Sequence, residues 1–224
     1  KLLPNYADED LAFNFHEFFR VNADNKFIHE RDVRSFLDLI SKKDDKSNYP
    51  YSTEEYRNNF RHSLWMVPGV KEARALSAML KEHPIFSQFT IVNVAGEGDE
   101  EEANEDALKK VQNAIGDHPE ETYTITLSCG RLTTGVSVPA WTAVFMLAGS
   151  YNTSATSYMQ TIFRVQTPAK INGRVKEECF VFDFAPDRTL KVIAETAKIS
   201  AKVGETTTSD RKIMGEFINF CPII

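Results

Sequence analysis

Residues 142–148 read TAVFMLA, a strand-length run in which every residue after the first threonine is apolar. A half-exposed strand alternates polar and apolar side chains, because successive side chains point to opposite faces of a sheet. A run without that alternation is typical of a strand covered on both faces, as in a parallel sheet packed between two layers of helices. This stretch therefore favours an α/β fold with a buried sheet.

The segments on both sides of this run alternate between strand and helix patterns. Strands that alternate with helices indicate βαβ units and a parallel sheet. The strands are predicted at 63–67, 89–94, 122–128, 142–148 and 179–184, and the helices at 70–82, 103–115, 156–166 and near 188–200.

The first part of the chain has a different pattern, which predicts an N-terminal helical segment. ERDVRSFLDLIS (30–41) repeats apolar residues at helical spacing, and DLAFNFHEFFRV (10–21) is a second candidate helix. The polar stretch SKKDDKSNYPYS (41–52) is interpreted as a linker. After it, Ser52 or Thr53 is predicted to cap a short helix.

Composition and charge exclude several classes of protein. Hydrophobic content of 42% and charged content of 26% are ordinary for a soluble globular protein. No apolar run reaches about 18 residues, and the acidic N-terminus shows no secretory pattern, so we expect a cytoplasmic protein without membrane contact. The net charge of −6 argues against coating of nucleic acid by bulk charge, although a local basic groove remains compatible with it. Because the chain starts without Met, we expect a mature product or an excised fragment.

Cysteine and histidine spacing predicts neither a disulfide framework nor a metal centre. The three cysteines, Cys129, Cys179 and Cys221, are widely spaced and are interpreted as reduced core thiols. The five histidines form no paired ligand spacing, so no metal site is assigned to the chain. The acidic stretch Glu97–Asp106 is interpreted as a solvated loop that leads into a helix.

The segments that follow the predicted strands are the first place to look for a ligand site. In parallel sheets, ligands bind at the carboxyl ends of the strands. The longest of these segments, CGRLTTGVSVP (129–139), offers hydroxyls and backbone N–H groups that suit phosphate oxygens. The alternative is a tight loop in which Gly130 and Gly135 supply positive φ angles. A second such segment, PGVK (68–71), opens a helix, and its Lys71 could equally be a solvated first-turn residue.

A polar pair interrupts the apolar helix pattern of SYMQTIFRVQTP (157–168). Gln160 and Arg164 are one turn apart, so they would share one face of an α-helix. The two side chains either lie on the solvent-exposed edge of a half-buried helix or point toward a ligand. For Arg164 the alternative to a phosphate contact is a salt bridge to a nearby acid.

The order of these segments resembles the second RecA-like domain of superfamily 2 helicases and translocases. That family has a T-x-G-x-D-x-P-like loop before an apolar strand and a Q-x-x-G-R-x-x-R helix after it. Here the loop is TTGVSVP (133–139) and the helix is QTIFRVQT (160–167). The wider sequence of residues 50–200 also resembles the motor part of restriction-modification enzymes. The resemblance implies a helical segment and linker at 1–50, a RecA-like domain at 51–200 and a C-terminal extension at 201–224.

The resemblance also implies the roles of individual residues. Arg164 and Gln160 would reach the phosphates of ATP, and Gly135 and Ser137 in the loop would face the nucleotide. Contacts to the backbone of double-stranded DNA would come from Gly69, Lys71, Arg131, Thr133 and Thr134. The chain has neither a Walker A loop nor an acidic metal box, so ATP with Mg²⁺ would be bound mainly by an N-terminal RecA-like domain outside this sequence. We therefore expect the isolated chain not to hydrolyse ATP.

Three positions depart from the family pattern and keep a second interpretation open. Ser137 replaces the usual Asp, Phe163 replaces Gly, and Thr167 replaces the second arginine of the helix motif. The alternative is a non-catalytic α/β interaction module that has lost the nucleotide interface.

Overall fold

A parallel sheet forms the centre of the molecule. The computed structural model describes residues 13–43, 50–96, 101–130, 132, 137–149, 154–171 and 173–185. The strands are β1 His62–Met66, β2 Thr90–Asn93, β3 Thr124–Ser128, β4 Ala143–Met146, β5 Lys170–Ile171, β6 Arg174–Val175 and β7 Phe180–Asp183. Five of them form one sheet in the order β2-β3-β1-β4-β7, and every pair in it is parallel. All five predicted strands and the α/β class are confirmed.

Helices and short turns connect and flank these strands. The helices are α1 Phe15–Phe18, α2 Glu30–Ser41, α3 Glu54–Asn59, α4 Val70–Glu82, α5 Glu101–Ile115 and α6 Ala155–Ile162, with 3₁₀ turns at Phe86–Gln88 and Phe163–Gln166. Thr53 caps α3, because its hydroxyl accepts a hydrogen bond from the Tyr56 amide at 3.1 Å. The predicted helix near 188–200 and the extension at 201–224 lie outside the described residues.

Each face of the sheet is covered by its own set of helices. Along β1, Leu64 and Met66 belong to a cluster shared with α5 and α6, whereas Trp65 packs in a cluster shared with α2 and α4. In β4, Val144 and Phe145 point to opposite faces, and both are fully buried. This two-sided burial is the reason why TAVFMLA lacks polar alternation.

The N-terminal helices belong to the covering of the sheet. Val33, Leu37 and Ile40 of α2 are buried in the same apolar cluster as Trp65. The rings of Phe36 and Phe184 lie 5.1 Å apart, edge to face, and join α2 to the end of β7. The predicted helix at 30–41 is confirmed, whereas the candidate helix at 10–21 is only one turn, Phe15–Phe18, among its described residues, and Val21 forms a β-bridge with Phe27. A domain boundary at residue 50 stays a prediction.

The strand order creates a divergence between β1 and β4. From β1 the chain crosses over β3 to form β2 at one edge of the sheet. From β4 it continues in the opposite direction to form β7 at the other edge. Such a switch point opens a crevice outside the carboxyl ends of the strands, where ligands of α/β sheets bind. Among the described residues, no helix combines the length and the apolar character needed to cross a lipid bilayer.

Candidate functional site

An open cleft of about 890 Å³ lies at the carboxyl ends of the central strands. It occupies the switch point between β1 and β4, and it contains the predicted Gly69 and Lys71. Its lining residues are Met66, Val67, Pro68, Gly69, Val70, Lys71, Glu72, Gly96, Cys129, Gly130 and Ala148. A smaller cleft, of about 260 Å³, lies near the amino ends of the strands beside α3.

The N-terminus of α4 opens into the larger cleft, and an acidic side chain lies over it. Gly69 is the N-cap residue and makes no side-chain cap. A β-carbon placed on Gly69 would collide with the carboxylate of Glu72, three residues on. Gly69 has φ −167°, which any residue adopts, and the atoms that a β-carbon would meet are only the flexible end of the Glu72 side chain, so neither backbone conformation nor space requires glycine here. Glu72 therefore lies close to where an anion would meet the first amides of α4.

Sequence reasoning missed Glu72, although a signal was present. Glutamate at the third helical position is the capping-box position, from which its side chain reaches back to the N-cap residue. A phosphate that approaches Gly69 and Lys71 must meet this carboxylate or displace it.

The loop that follows β3 is described at Gly130 and Leu132 and again from Ser137 onward. Arg131, Thr133, Thr134 and Gly135 lie outside the described residues, so their predicted roles stay predictions. Gly130 has φ +93°, as the tight-loop interpretation of that glycine predicted. Ser137 is exposed, and after it Val138 and Trp141 are buried in the cluster that also holds α6.

The predicted single helix over 156–166 is wrong in its last turn. The α-helix ends at Ile162, and Phe163–Gln166 form a 3₁₀ turn that contains Arg164. Because a 3₁₀ helix has 3.0 residues per turn, Gln160 and Arg164 do not keep the relation of one regular α-helical face. Gln160 is exposed and Arg164 is half-buried, while Val165 beside it is fully buried.

A lysine that the sequence did not single out joins the two motif segments. The ammonium of Lys176 donates hydrogen bonds to the carbonyl oxygens of Pro139 (2.9 Å) and Val165 (2.9 Å), and also to that of Trp141 (3.0 Å). Pro139 ends the loop motif, and Val165 follows Arg164. Since both oxygens contact one nitrogen, they lie less than about 6 Å apart. No local sequence pattern indicates this contact, because Lys176 follows a two-stranded hairpin beyond both motifs.

Three potential metal ligands lie together in one turn of the described chain. Among the described residues, His118, Glu120 and Glu121 bring potential ligand atoms within 4.8 Å of one another, in a turn before the amino end of β3. His118 and Glu121 are exposed. Cys129 and Cys179 are half-buried and pack at the edges of the two apolar clusters, and Cys221 lies outside the described residues.

Comparison with known proteins connects the chain to restriction-modification enzymes. It is 34% identical over 182 residues to a Mycoplasma pneumoniae protein that is provisionally named as the C-terminus of a type II restriction enzyme and methyltransferase. The match covers 77% of this chain and 24% of that protein. No protein-family model matches the chain.

Among solved structures, the chain matches part of the ATP-dependent Type ISP restriction-modification enzyme LlaBIII bound to DNA. It has 14% sequence identity and a TM-score of 0.47, and the match covers 91% of this chain and 15% of that one. The chain thus spans about a quarter or less of each of these proteins. It is homologous to a part of a restriction-modification enzyme, and its parallel sheet fits the RecA-like domain that the sequence predicted.

Proposed function

Because this chain is homologous to the C-terminal part of a restriction-modification enzyme, we propose that it is the C-terminal RecA-like motor domain of an ATP-dependent DNA helicase or translocase. ATP with Mg²⁺ binds between this domain and an N-terminal RecA-like domain of the same cytoplasmic protein, to which nuclease or methyltransferase parts can be joined. One geometric observation carries the proposal, namely that the end of the loop motif and the turn of Arg164 meet at Lys176.

In this proposal the two motif segments perform different tasks. Arg164 presents a planar, permanently charged guanidinium to the phosphates of ATP, assisted by Gln160. Gly135 and Ser137 face the nucleotide from the loop. The loop residues Arg131, Thr133 and Thr134, together with Gly69 and Lys71 at the start of α4, contact the DNA backbone by charge, hydroxyls and amides.

The test is replacement of Arg164 by alanine in the full-length protein that contains this chain. An arginine that stabilises charge in phosphoryl transfer is worth about 10³-fold or more in turnover, so Arg164→Ala should lower the ATPase kcat by that factor. The loss should remain when turnover is counted per folded molecule. The matched control is Arg174→Ala, which removes an exposed arginine of the nearby hairpin and should leave turnover unchanged.

A structural role for Arg164 predicts the reverse pattern. If Arg164 only forms a salt bridge, Arg164→Ala lowers the melting temperature and leaves turnover per folded molecule nearly normal. A stable and fully active variant would refute the proposed role of Arg164.

The second candidate is a non-catalytic interaction module. Phe163, which replaces the motif glycine, is 49% exposed in the turn beside Arg164, where a bulky ring would face an approaching nucleotide domain. Ser137 and Thr167 are the other two departures. The coding sequence upstream of this chain separates the candidates, since a Walker A loop and an acidic metal box there support the motor, and their absence supports the module.

A further inference from the structure

The backbone of Lys176 is anchored as well as its side chain. Its backbone amide donates to the carbonyl of Ala169 at 2.9 Å, next to the hairpin in which β5 pairs with β6. The hairpin therefore brings Lys176 close to the turn that contains Arg164, where its ammonium contacts the carbonyl of Val165. This arrangement fixes the direction from which the ammonium approaches the two motif segments.

The contacts of the ammonium use all of its hydrogen-bonding capacity. Three carbonyl oxygens lie within 3.0 Å of Nζ, and only a protonated lysine has three N–H groups to donate to them. Burial lowers the pKa of Lys176, and the adjacent Cys179 thiol acts in the opposite direction. A half-buried charge bound only to backbone carbonyls holds backbone positions relative to one another.

The three acceptors belong to two segments of the chain, since Pro139 and Trp141 are two residues apart and Val165 lies beyond β4. Pro139 is the last residue of the loop motif, Trp141 leads into β4, and Val165 lies in the 3₁₀ turn of Arg164. Trp141 and Val165 are fully buried, whereas Pro139 is exposed. The bond to Pro139 therefore attaches the exposed end of the loop to a rigid part of the domain.

We propose that Lys176 is a positioning residue that couples the Arg164 turn to Pro139, the last residue of the loop motif. This inference rests on the proposed motor function. A displacement of Arg164 on contact with nucleotide moves the Val165 carbonyl, and Lys176 passes that movement to Pro139. Without the ammonium, each segment still forms, but their relative position is no longer fixed.

The first measurement is hydrogen exchange of backbone amides in the full-length protein. Lys176→Met removes the charge and all three donors while keeping a long apolar side chain. It should speed exchange in peptides covering 137–141 and 163–167. The matched control is Lys170→Met, which removes an exposed lysine from the same hairpin and should leave both peptides unchanged.

The second measurement is the ratio of DNA-stimulated to basal ATP turnover. Lys176→Met should lower DNA-stimulated kcat roughly 10-fold or more, since a misplacement of about 1 Å can cost 10²-fold, and it should lower basal kcat less. A merely structural role would reduce both activities in proportion to the folded fraction and leave the ratio unchanged. If the methionine variant does not fold, Lys176→Gln, whose amide can donate two of the three bonds, should show a smaller loss in the same ratio.

The outcomes separate this inference from the proposed function. If the wild-type protein has no DNA-stimulated ATP turnover, the motor function is wrong, and the coupling role is wrong with it. If the wild type has that turnover but Lys176→Met keeps its ratio, or leaves exchange in both peptides unchanged, the coupling role alone is wrong. Faster exchange together with a lower ratio supports it.

Discussion

Acidification should destabilise this domain through one buried histidine, His62 at the start of β1. The side chain is 1% exposed, and its pKa is lowered to about 4 from its usual value near 6.5, chiefly by burial. Its Nε2–H donates to the Pro119 carbonyl at 2.7 Å, and its Nδ1 lies 2.9 Å from the Thr124 hydroxyl. The neutral ring is therefore fully hydrogen-bonded in the folded protein.

The sign and size of the effect follow from these values. Between pH 6.5 and pH 4 the unfolded chain binds a proton on His62 that the folded protein does not, so stability falls as the pH falls. At about 1.4 kcal/mol per pKa unit, the full difference is roughly 3 kcal/mol. About 2 kcal/mol of it should already be lost at pH 5, which is a large part of the stability of a typical domain.

The assay is denaturant unfolding of the chain and of His62→Gln at several values between pH 7.5 and pH 5. Glutamine does not titrate, and its amide can donate to the Pro119 carbonyl. The variant should be less stable at pH 7.5 but should lose less stability on acidification, by about 2 kcal/mol. Equal losses in the two proteins would show that His62 titrates normally in the folded state.

Three further predictions concern the cleft and its ligands. The isolated 224-residue chain should show no ATP turnover above background in a phosphate-release assay, with or without DNA; turnover abolished by a point change within it would contradict the proposed division between two domains. It should bind duplex DNA weakly and with steep salt dependence, and NMR shift changes should centre on Gly69 and Lys71 and not on α1 and α2. Glu72→Gln should tighten DNA binding roughly 2- to 5-fold, because a carboxylate at a helix N-terminus is worth about 0.3–1 kcal/mol there; unchanged affinity in fluorescence anisotropy would place DNA elsewhere.

Local patterns in the sequence determined the elements of this fold. The five predicted strand segments became the five strands of the sheet. The three inner strands β3, β1 and β4 are buried at every position, as a sheet covered on both faces requires, whereas the edge strands β2 and β7 are partly exposed. The amphipathic spacing of 30–41 became α2, and the Thr53 cap of α3 depends only on a side chain and an amide three residues apart. Such contacts are short in sequence and leave a signature there.

The candidate site was only partly predictable for the same reason. Gly69 and Lys71 were located from the rule that ligands gather at strand ends, and the structure places both in the cleft. The carboxylate of Glu72 over Gly69 was readable in principle from its capping-box position. The break of α6 before Arg164 was not, because the apolar spacing continues through the 3₁₀ turn.

What the tertiary structure alone decided is how distant segments come together. The strand order β2-β3-β1-β4-β7 places β1 between β3 and β4, and this order creates the switch point at which the cleft opens. The contacts of Lys176 with Pro139 and Val165 join residues 37 and 11 positions away, across a strand order that no local period encodes. Local spacing specifies which side chains are buried, but only the packed sheet specifies which buried segments become neighbours.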